Sequence, residues 1–209
     1  MDVLTLAQVR SWIAAASSEI DKNSAFLCDL DSAIGDGDHG ANMTRGFTAV
    51  VKKLDGGAGG DDLGSLFKTV GMTLLSTVGG AAGPLYGGFF LELGKQSAGK
   101  LTLDAAALAG LIEAGLADIK RRGKAELGDK TMVDALAPAV DAMKTAGGDV
   151  TVVTRAAAVA ARAAAAGTAP LLARKGRASY LGERSIGHED PGANSSALIL
   201  EALAGICAE

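Results

Sequence analysis

Three aspartates stand close together in the sequence DLDSAIGDGDHG, residues 29–40. Asp31, Asp36 and Asp38 lie within eight positions, and no Lys or Arg lies among them. Gathering three carboxylates is unfavourable unless a cation neutralises them. Oxygen ligands of this kind suit Mg²⁺, which keeps waters and phosphate oxygens as its other ligands. Because two intervening glycines let the chain fold back, the segment predicts a metal site; a solvated acidic turn is the alternative.

Two segments have the composition of phosphate-binding turns. The sequence HGAN, residues 39–42, follows the aspartates at the predicted start of a helix, where free backbone N–H groups suit a phosphate. The sequence STVGGAAGP, residues 76–84, combines hydroxyls and glycines before another predicted helix. Neither segment is a Walker motif or a GxGxxG fingerprint. A nucleotide would therefore bind here in a way that is neither P-loop nor Rossmann.

A long polar segment, residues 174–192, has no hydrophobic period and carries several basic residues. A loop of this length is unusual unless it is functional or disordered. Among its cations Arg177 is the favoured partner for phosphate charge, although surface ion pairs in a solvated loop are the alternative. His39 and His188 are the only histidines, and either is a candidate base, phospho-acceptor or structural residue.

The composition sets the class of protein that must position these groups. The chain has 209 residues, a hydrophobic fraction of 48% and a formal charge of −4, which predict one folded domain over residues 1–209. Two cysteines exclude a disulfide scaffold. No basic run indicates nucleic acid, and no apolar run is long enough for a membrane span. We expect a cytoplasmic protein that binds neither nucleic acid nor membrane.

Hydrophobic periodicity predicts eight or nine helices and no strands, so the expected class is all-α. The predicted helices cover residues 5–20, 23–32, 40–54, 63–79, 84–97, 103–122, 131–146, 151–173 and 192–207. In an up-and-down helical array, alternate connections lie at the same end. Much of the glycine falls in four segments at helix boundaries, namely residues 35–40, 79–88, 123–128 and 176–192. We predict that several of them form one site, although helix caps and turns would use glycine too.

Four strings resemble a known family: GDGDHGANMTRGF, GMTLLSTVGGAAGPLYG, RGKAELGDKTM and ARKGRASYLGERSIGHEDPGA. They are similar to the nucleotide-binding L subunit of phosphotransferase-system dihydroxyacetone kinase, a module that also forms the C-terminal domain of ATP-dependent dihydroxyacetone kinases. The resemblance spans roughly residues 5–207. It implies a closed barrel of about eight antiparallel amphipathic helices, with a nucleotide site at one end.

The resemblance also implies roles for individual residues. Two Mg²⁺ ions would be held by Asp31, Asp36 and Asp38, and Arg177 would offset transition-state charge as the catalytic residue. The implied nucleotide contacts are His39, Gly40, Ala41, Asn42, Ala81, Ala82, Gly123, Met132, Arg177, Asp190, Pro191 and Gly192. Related sequences often carry Ser in the place of Ala82, and we expect phosphate binding to survive this difference because the backbone N–H groups remain.

The implied activity needs partner subunits. In the phosphotransferase version, bound ADP is phosphorylated by a phosphohistidine protein, the M subunit, and the ATP formed phosphorylates dihydroxyacetone on the K subunit. The absence of a K-type domain favours a separate subunit, and a homodimer is expected. Two alternatives stay open: an ATP-exchanging subunit that acts with a K-like partner on a related short ketose, and a nucleotide-loaded module that regulates a transcription factor.

Overall fold

The computed structural model describes all 209 residues. It contains nine α-helices, one 3₁₀ helix and a short antiparallel ribbon. The helices are α1 (Leu6–Lys22), α2 (Ser24–Ile34), α3 (His39–Asp55), α4 (Leu63–Thr77), α5 (Ala82–Gln96), α6 (Ala105–Gly123), α7 (Met132–Ala146), α8 (Val150–Ala166) and α9 (Pro191–Ala208). The 3₁₀ helix is Arg177–Ser185, and the ribbon pairs β1 (Val3–Thr5) with β2 (Thr102–Asp104). The predicted helical class is thus confirmed, with the ribbon as an addition.

Eight helices surround a common core, each packed against the next. Helix α1 packs on α3, the contacts continue in chain order from α3 to α9, and α9 returns to pack on α1. Helix α2 lies outside this series and packs on α3 and α9. None of the helices combines the length and the apolar character needed to cross a bilayer.

Two sequence predictions need correction. The helix predicted over residues 151–173 ends at Ala166, because Gly167 caps it with an N–H bond to the Ala163 carbonyl and the chain then turns. The segment 174–192, predicted to lack regular structure, contains the 3₁₀ helix. The ribbon escaped prediction because three-residue strands are too short to display an alternating pattern.

Aromatic side chains fill the centre of the core. The Trp12 ring packs against Phe67 and Phe90 with centroid separations of 6.1 Å, and Phe47 packs edge-on against Phe90. The Trp12 indole N–H donates to the Ile199 carbonyl oxygen at 2.8 Å, which satisfies the one polar atom of that ring. This cluster ties α1, α3, α4, α5 and α9 into a rigid scaffold for the connections between them.

Glycines inside helices let α4 and α5 approach closely. A Cβ atom added at Gly71 would lie 2.7 Å from the Gly87 carbonyl oxygen, a distance that real Cβ atoms do not adopt. The two backbones are therefore in direct contact, and a side chain at either position would separate them. Gly87, which lies in the segment 79–88 predicted at a helix boundary, thus serves helix packing. The close α4–α5 pair holds the connection at residues 78–81.

Candidate functional site

One cavity of about 340 Å³ lies where several connections meet. Its walls come from the α2–α3, α4–α5 and α6–α7 connections, from residues 175–178 and from the start of α9. Its volume falls in the range of small-molecule sites, about 300–1,000 Å³. The predicted site residues that line it are Asp31, Asp36, Asp38, His39, Asn42, Ala81, Ala82, Gly123, Met132, Arg177, Asp190, Pro191 and Gly192. The structure thus brings these residues together from distant parts of the sequence.

Two predicted site residues do not line the cavity. Gly40 is buried in the first turn of α3 against α2, where an added Cβ would lie 1.9 Å from the Ser24 carbonyl oxygen. Ala41 has an exposed side chain. Any contact from these residues to a ligand would therefore use the backbone, whereas Gly40 serves the packing of α2 on α3.

The three aspartates converge at the edge of the cavity. Their carboxylate oxygens lie within 4.8 Å of one another. Asp31 projects from the last turns of α2, and its Oδ2 accepts the backbone N–H groups of Asp38 and His39 at 2.9 and 3.2 Å. These bonds fold the connection back onto α2, as its glycines allow. An exposed cluster of hard oxygen donors fits Mg²⁺ better than a soft metal.

Two helices begin at the cavity without side-chain caps. The N-cap residues Asp38 of α3 and Ala81 of α5 make no side-chain cap bond. By contrast, a Thr or Asp side chain caps the start of α1, α4, α6, α7, α8 and α9. In the first turn of α3 only the His39 N–H has a side-chain acceptor, Asp31 Oδ2, and the first turn of α5 has no side-chain cap. The dipoles of both helices favour an anion at these starts. Ala82, the first residue of α5, presents backbone here and no hydroxyl.

Arg177 lies across the mouth of the cavity from the aspartates. Its guanidinium forms a salt bridge with Asp36, with the two polar atoms 3.1 Å apart, and the two side chains are 68% and 37% exposed. An exposed pair of this kind contributes little to stability. It leaves Arg177 free to exchange the carboxylate for a phosphate oxygen.

His39 is hydrogen-bonded to a buried polar network. Its Nε2 shares a hydrogen bond with Ser195 Oγ at 2.8 Å, and Ser195 Oγ lies 2.7 Å from the Tyr86 hydroxyl. The Tyr86 hydroxyl also lies 2.8 Å from Ser196 Oγ. Burial lowers the pKa of His39, while the charges of Asp31 and Asp38 oppose that shift. Little in the sequence distinguishes Tyr86 and Ser195 as site residues: Tyr86 lies in the glycine-rich segment 79–88 and Ser195 in an apolar helical stretch, and their only signal is a polar atom.

Asp190 is a titratable group of the cavity wall with a strongly raised pKa. Its Oδ2 accepts the Ala193 N–H at 2.6 Å, which caps α9 ahead of Pro191. Burial raises the pKa of Asp190 to about 7, opposed by that N–H bond, and the negative charge of Asp134 adds to the rise. A carboxyl with such a pKa changes charge near neutrality, at the place where a ligand would sit.

Comparison with known proteins agrees with these features. A family model described as the DAK2 domain matches residues 33–205. The chain belongs to the DAK2 domain family. It is 44% identical over 204 residues to the PEP-dependent dihydroxyacetone kinase, ADP-binding subunit DhaL, of Escherichia coli, with 96% of this chain and 97% of that relative covered. It is 48% identical over 192 residues to ADP-binding subunit DhaL of the PEP-dependent dihydroxyacetone kinase 1 of Listeria innocua, with 92% of each covered.

Two other members of the family match as part of a longer chain. The L-erythrulose 1-kinase of Mycolicibacterium smegmatis is 37% identical over 190 residues, which cover 87% of this chain and 32% of that protein. The crystal structure of the dihydroxyacetone kinase from C. freundii in complex with AMP-PNP and Mg²⁺ superposes with a TM-score of 0.71 at 28% identity. That match covers 97% of this chain and 34% of the kinase chain. The DAK2 fold of this chain is therefore a module that also occurs within longer kinases.

Proposed function

We propose that this chain is the ADP-binding subunit of a dihydroxyacetone kinase that draws its phosphoryl group from a phosphohistidine protein. The observation that carries the proposal is the convergence of three carboxylates and two uncapped helix starts on one cavity. Relatives with that name match over nearly the full length of both chains, which supports the same conclusion. When bound, the nucleotide would carry the phosphoryl group between donor and sugar.

The residues of the cavity divide into metal-holding and nucleotide-holding groups. We assign Asp31, Asp36 and Asp38 to two Mg²⁺ ions, because three oxygen ligands within 4.8 Å can serve both. The starts of α3 and α5 would hold phosphate oxygens through backbone N–H groups. The remaining walls would contact the nucleotide through Gly123, Met132, Asp190, Pro191 and Gly192. Arg177 would leave Asp36 and stabilise charge on the transferring group.

The partners follow from the same proposal. The chain would act with a K subunit that holds dihydroxyacetone and with an M subunit that supplies the phosphohistidine, in the cytoplasm. The order of helix neighbours, with α9 packed on α1, supports a closed eight-helix barrel that has its nucleotide site at one end. A homodimer and contact with a transcription regulator stay predictions.

A second candidate function has one specific observation in its favour. The similarity to the L-erythrulose 1-kinase of M. smegmatis supports an ATP-exchanging subunit that serves a K-like partner and a related short ketose. That relative is about three times the length of the matched module, whereas the DhaL relatives match end to end. The phosphohistidine-dependent function is therefore the better supported of the two.

Reconstitution separates these functions. The chain is mixed with a K subunit, dihydroxyacetone and Mg²⁺, and product is measured with either free ATP or a phosphohistidine donor protein. We expect sustained product only with the phosphohistidine donor. Sustained turnover with free ATP would favour the exchanging candidate, and product formed without a K subunit would contradict a shared site.

The metal assignment has its own test. Asp36→Asn and Asp38→Asn keep the size of the side chains and remove negative charge from the cluster. We expect each change to weaken nucleotide retention in Mg²⁺ by at least about tenfold, because the metal loses a charged ligand. Asp61→Asn, in the exposed connection between α3 and α4, is the matched control. Unchanged retention and phosphotransfer in both cluster variants would show the assignment to be wrong.

A further inference from the structure

Lys130 is a buried cation to which none of the roles above is assigned. Its side chain is 1% exposed, although it belongs to the polar connection between α6 and α7. It forms no salt bridge with any carboxylate, and it is the only buried Lys or Arg of the chain. An ammonium without a paired anion is costly to bury. Its position therefore requires a compensating set of acceptors.

Four backbone carbonyls supply those acceptors. The Lys130 Nζ donates to the carbonyl oxygens of Thr168, Ala169 and Leu171 at 3.0, 3.2 and 3.1 Å. It also donates to the Ser185 carbonyl oxygen at 2.7 Å. Three N–H groups serve four acceptors, so one bond is shared. A ring of carbonyls around a small monovalent cation is the arrangement by which backbone replaces a hydration shell.

The four carbonyls belong to two segments that are separate in the sequence. Residues 168–171 form the turn after α8, and Ser185 ends the 3₁₀ segment that begins at Arg177 and is kinked at Gly182, where φ is 57° and ψ is −132°. The turn also reaches the start of α9, because the Asp190 N–H donates to Thr168 Oγ1 at 2.8 Å. Lys130 thus stands where the turn after α8, the end of the 3₁₀ helix and the approach to α9 meet.

The backbone of Lys130 adopts a strained conformation where this contact is made. Its φ of 62° lies in the left-handed region, which a residue with a Cβ rarely adopts. The 3₁₀ helix and its flanks are also held by a small apolar cluster of Ile34, Ala173 and Ala178, by the Ala173 N–H bond to Ser185 Oγ and by the exposed Arg177–Asp36 salt bridge. To these contacts the ammonium adds four bonds, which join the end of the 3₁₀ helix to the turn after α8.

We propose that Lys130 is a positioning residue that acts as a built-in monovalent cation. Its ammonium fastens the 3₁₀ helix, and with it Arg177, to the α6–α7 connection at the edge of the cavity. The proposal rests on the proposed function only for its consequence on nucleotide retention. The anchoring itself is a property of the chain without ligand.

The rate of trypsin cleavage measures how firmly the 3₁₀ helix is anchored, because trypsin sites lie in or beside it at Arg174, Lys175, Arg177 and Arg184. We compare the full-length protein with Lys130→Met, which keeps an unbranched apolar stem and removes the charge. Cleavage between residues 174 and 184 should accelerate by at least about tenfold. Cleavage at residues 52 and 53, at the distant end of α3, should keep its rate and so exclude global unfolding.

A matched control comes from the same connection. Lys124 is exposed, also has a positive φ of 49° and makes no side-chain hydrogen bond. Lys124→Met should leave both cleavage rates unchanged. Unchanged cleavage at 174–184 in folded Lys130→Met would overturn the proposal, as would parallel acceleration at residues 52 and 53.

Chemical rescue tests the role of the charge. Lys130→Ala removes three methylenes and the ammonium, which together correspond to propylammonium. Added propylammonium should restore slow cleavage at 174–184, whereas 1-propanol of similar size should not. If the variant does not fold alone, refolding yield with propylammonium against 1-propanol makes the same comparison. Equal rescue by both additives would show that volume, and not charge, matters, and would overturn the proposal.

The kinetic consequence distinguishes this proposal from the function on which it rests. With Mg²⁺, Lys130→Met should release a fluorescent ADP analogue at least about tenfold faster than the parent protein. Propylammonium should slow that release in Lys130→Ala. If the parent protein does not bind the analogue but the trypsin and rescue results hold, the proposed function fails and the anchor stands.

Discussion

Replacing Asp190 by Asn should make the protein more stable, and increasingly so as pH rises. Asn has the size of Asp and keeps an oxygen that can accept the Ala193 N–H at the start of α9. It removes only the ionisation of a group whose pKa burial raises from 3.8 to about 7. The comparison therefore isolates the cost of a carboxylate in the cavity wall.

The sign follows from proton counting. Between about pH 4 and pH 7 the folded protein holds a proton on Asp190 that the unfolded chain has released, so this group makes stability fall as pH rises. The shift of about three pKa units, at about 1.4 kcal/mol each, gives a ceiling of about 4 kcal/mol. Because Asp190 is partly exposed at the cavity, we expect the gain of Asp190→Asn to grow by about 2–4 kcal/mol across this range.

Urea unfolding of the protein, freed of metal and nucleotide, measures this difference. The free energy of unfolding is determined for both proteins at several values from about pH 4 to pH 8, and the other titrating groups cancel in the difference. Asp141→Asn, on the solvated side of α7, serves as control and should show no such trend. A stability gap that changes by less than about 0.5 kcal/mol across the range would refute a raised pKa at Asp190.

Two further changes test the packing and the network behind the site. Gly71→Ala should lower the free energy of unfolding by about 1–3 kcal/mol, because the new Cβ would meet the α5 backbone. Gly110→Ala, in open space on α6, should raise the free energy of unfolding by about 0.5–1 kcal/mol. Equal effects of the two changes would count against a close α4–α5 contact. Tyr86→Phe removes the hydroxyl beside Ser195 and Ser196, and it should cost about 1–2 kcal/mol and weaken Mg-ADP binding. Calorimetric titration that finds the parent affinity would contradict a role for this network in placing His39.

Local patterns were enough to predict most helices, the aspartate cluster and the glycine-rich segments, whereas the expectation of nucleotide contacts at Gly123, Met132 and residues 190–192 came from the family resemblance. Asp31, Asp36 and Asp38 were predictable because like charges close in sequence need a common explanation. The starts of α3 and α5 were predictable because glycine-rich polar segments interrupt apolar periods. Those features are properties of short stretches, which a sequence displays directly.

The features that escaped prediction depend on contacts between distant stretches. Lys130 lies in a polar connection, and nothing in its neighbourhood shows that carbonyls 38 to 55 residues away surround it. The alanine-rich sequence predicts that α8 continues to residue 173, but the helix ends at Ala166. The carbonyls of residues 168, 169 and 171 accept hydrogen bonds from Lys130 instead of continuing the helix. The raised pKa of Asp190 likewise arises from burial by residues far apart in sequence.

The uncapped starts of α3 and α5 have a consequence for the lifetime of the protein. In the proposed function, a phosphate completes the hydrogen bonding that side chains complete in six other helices, so the nucleotide contributes to the fold. At a free concentration one hundred times its dissociation constant, such a ligand adds about 2.7 kcal/mol to folding stability. Chains that hold no nucleotide would then unfold, and be cleaved by proteases, more readily than loaded ones.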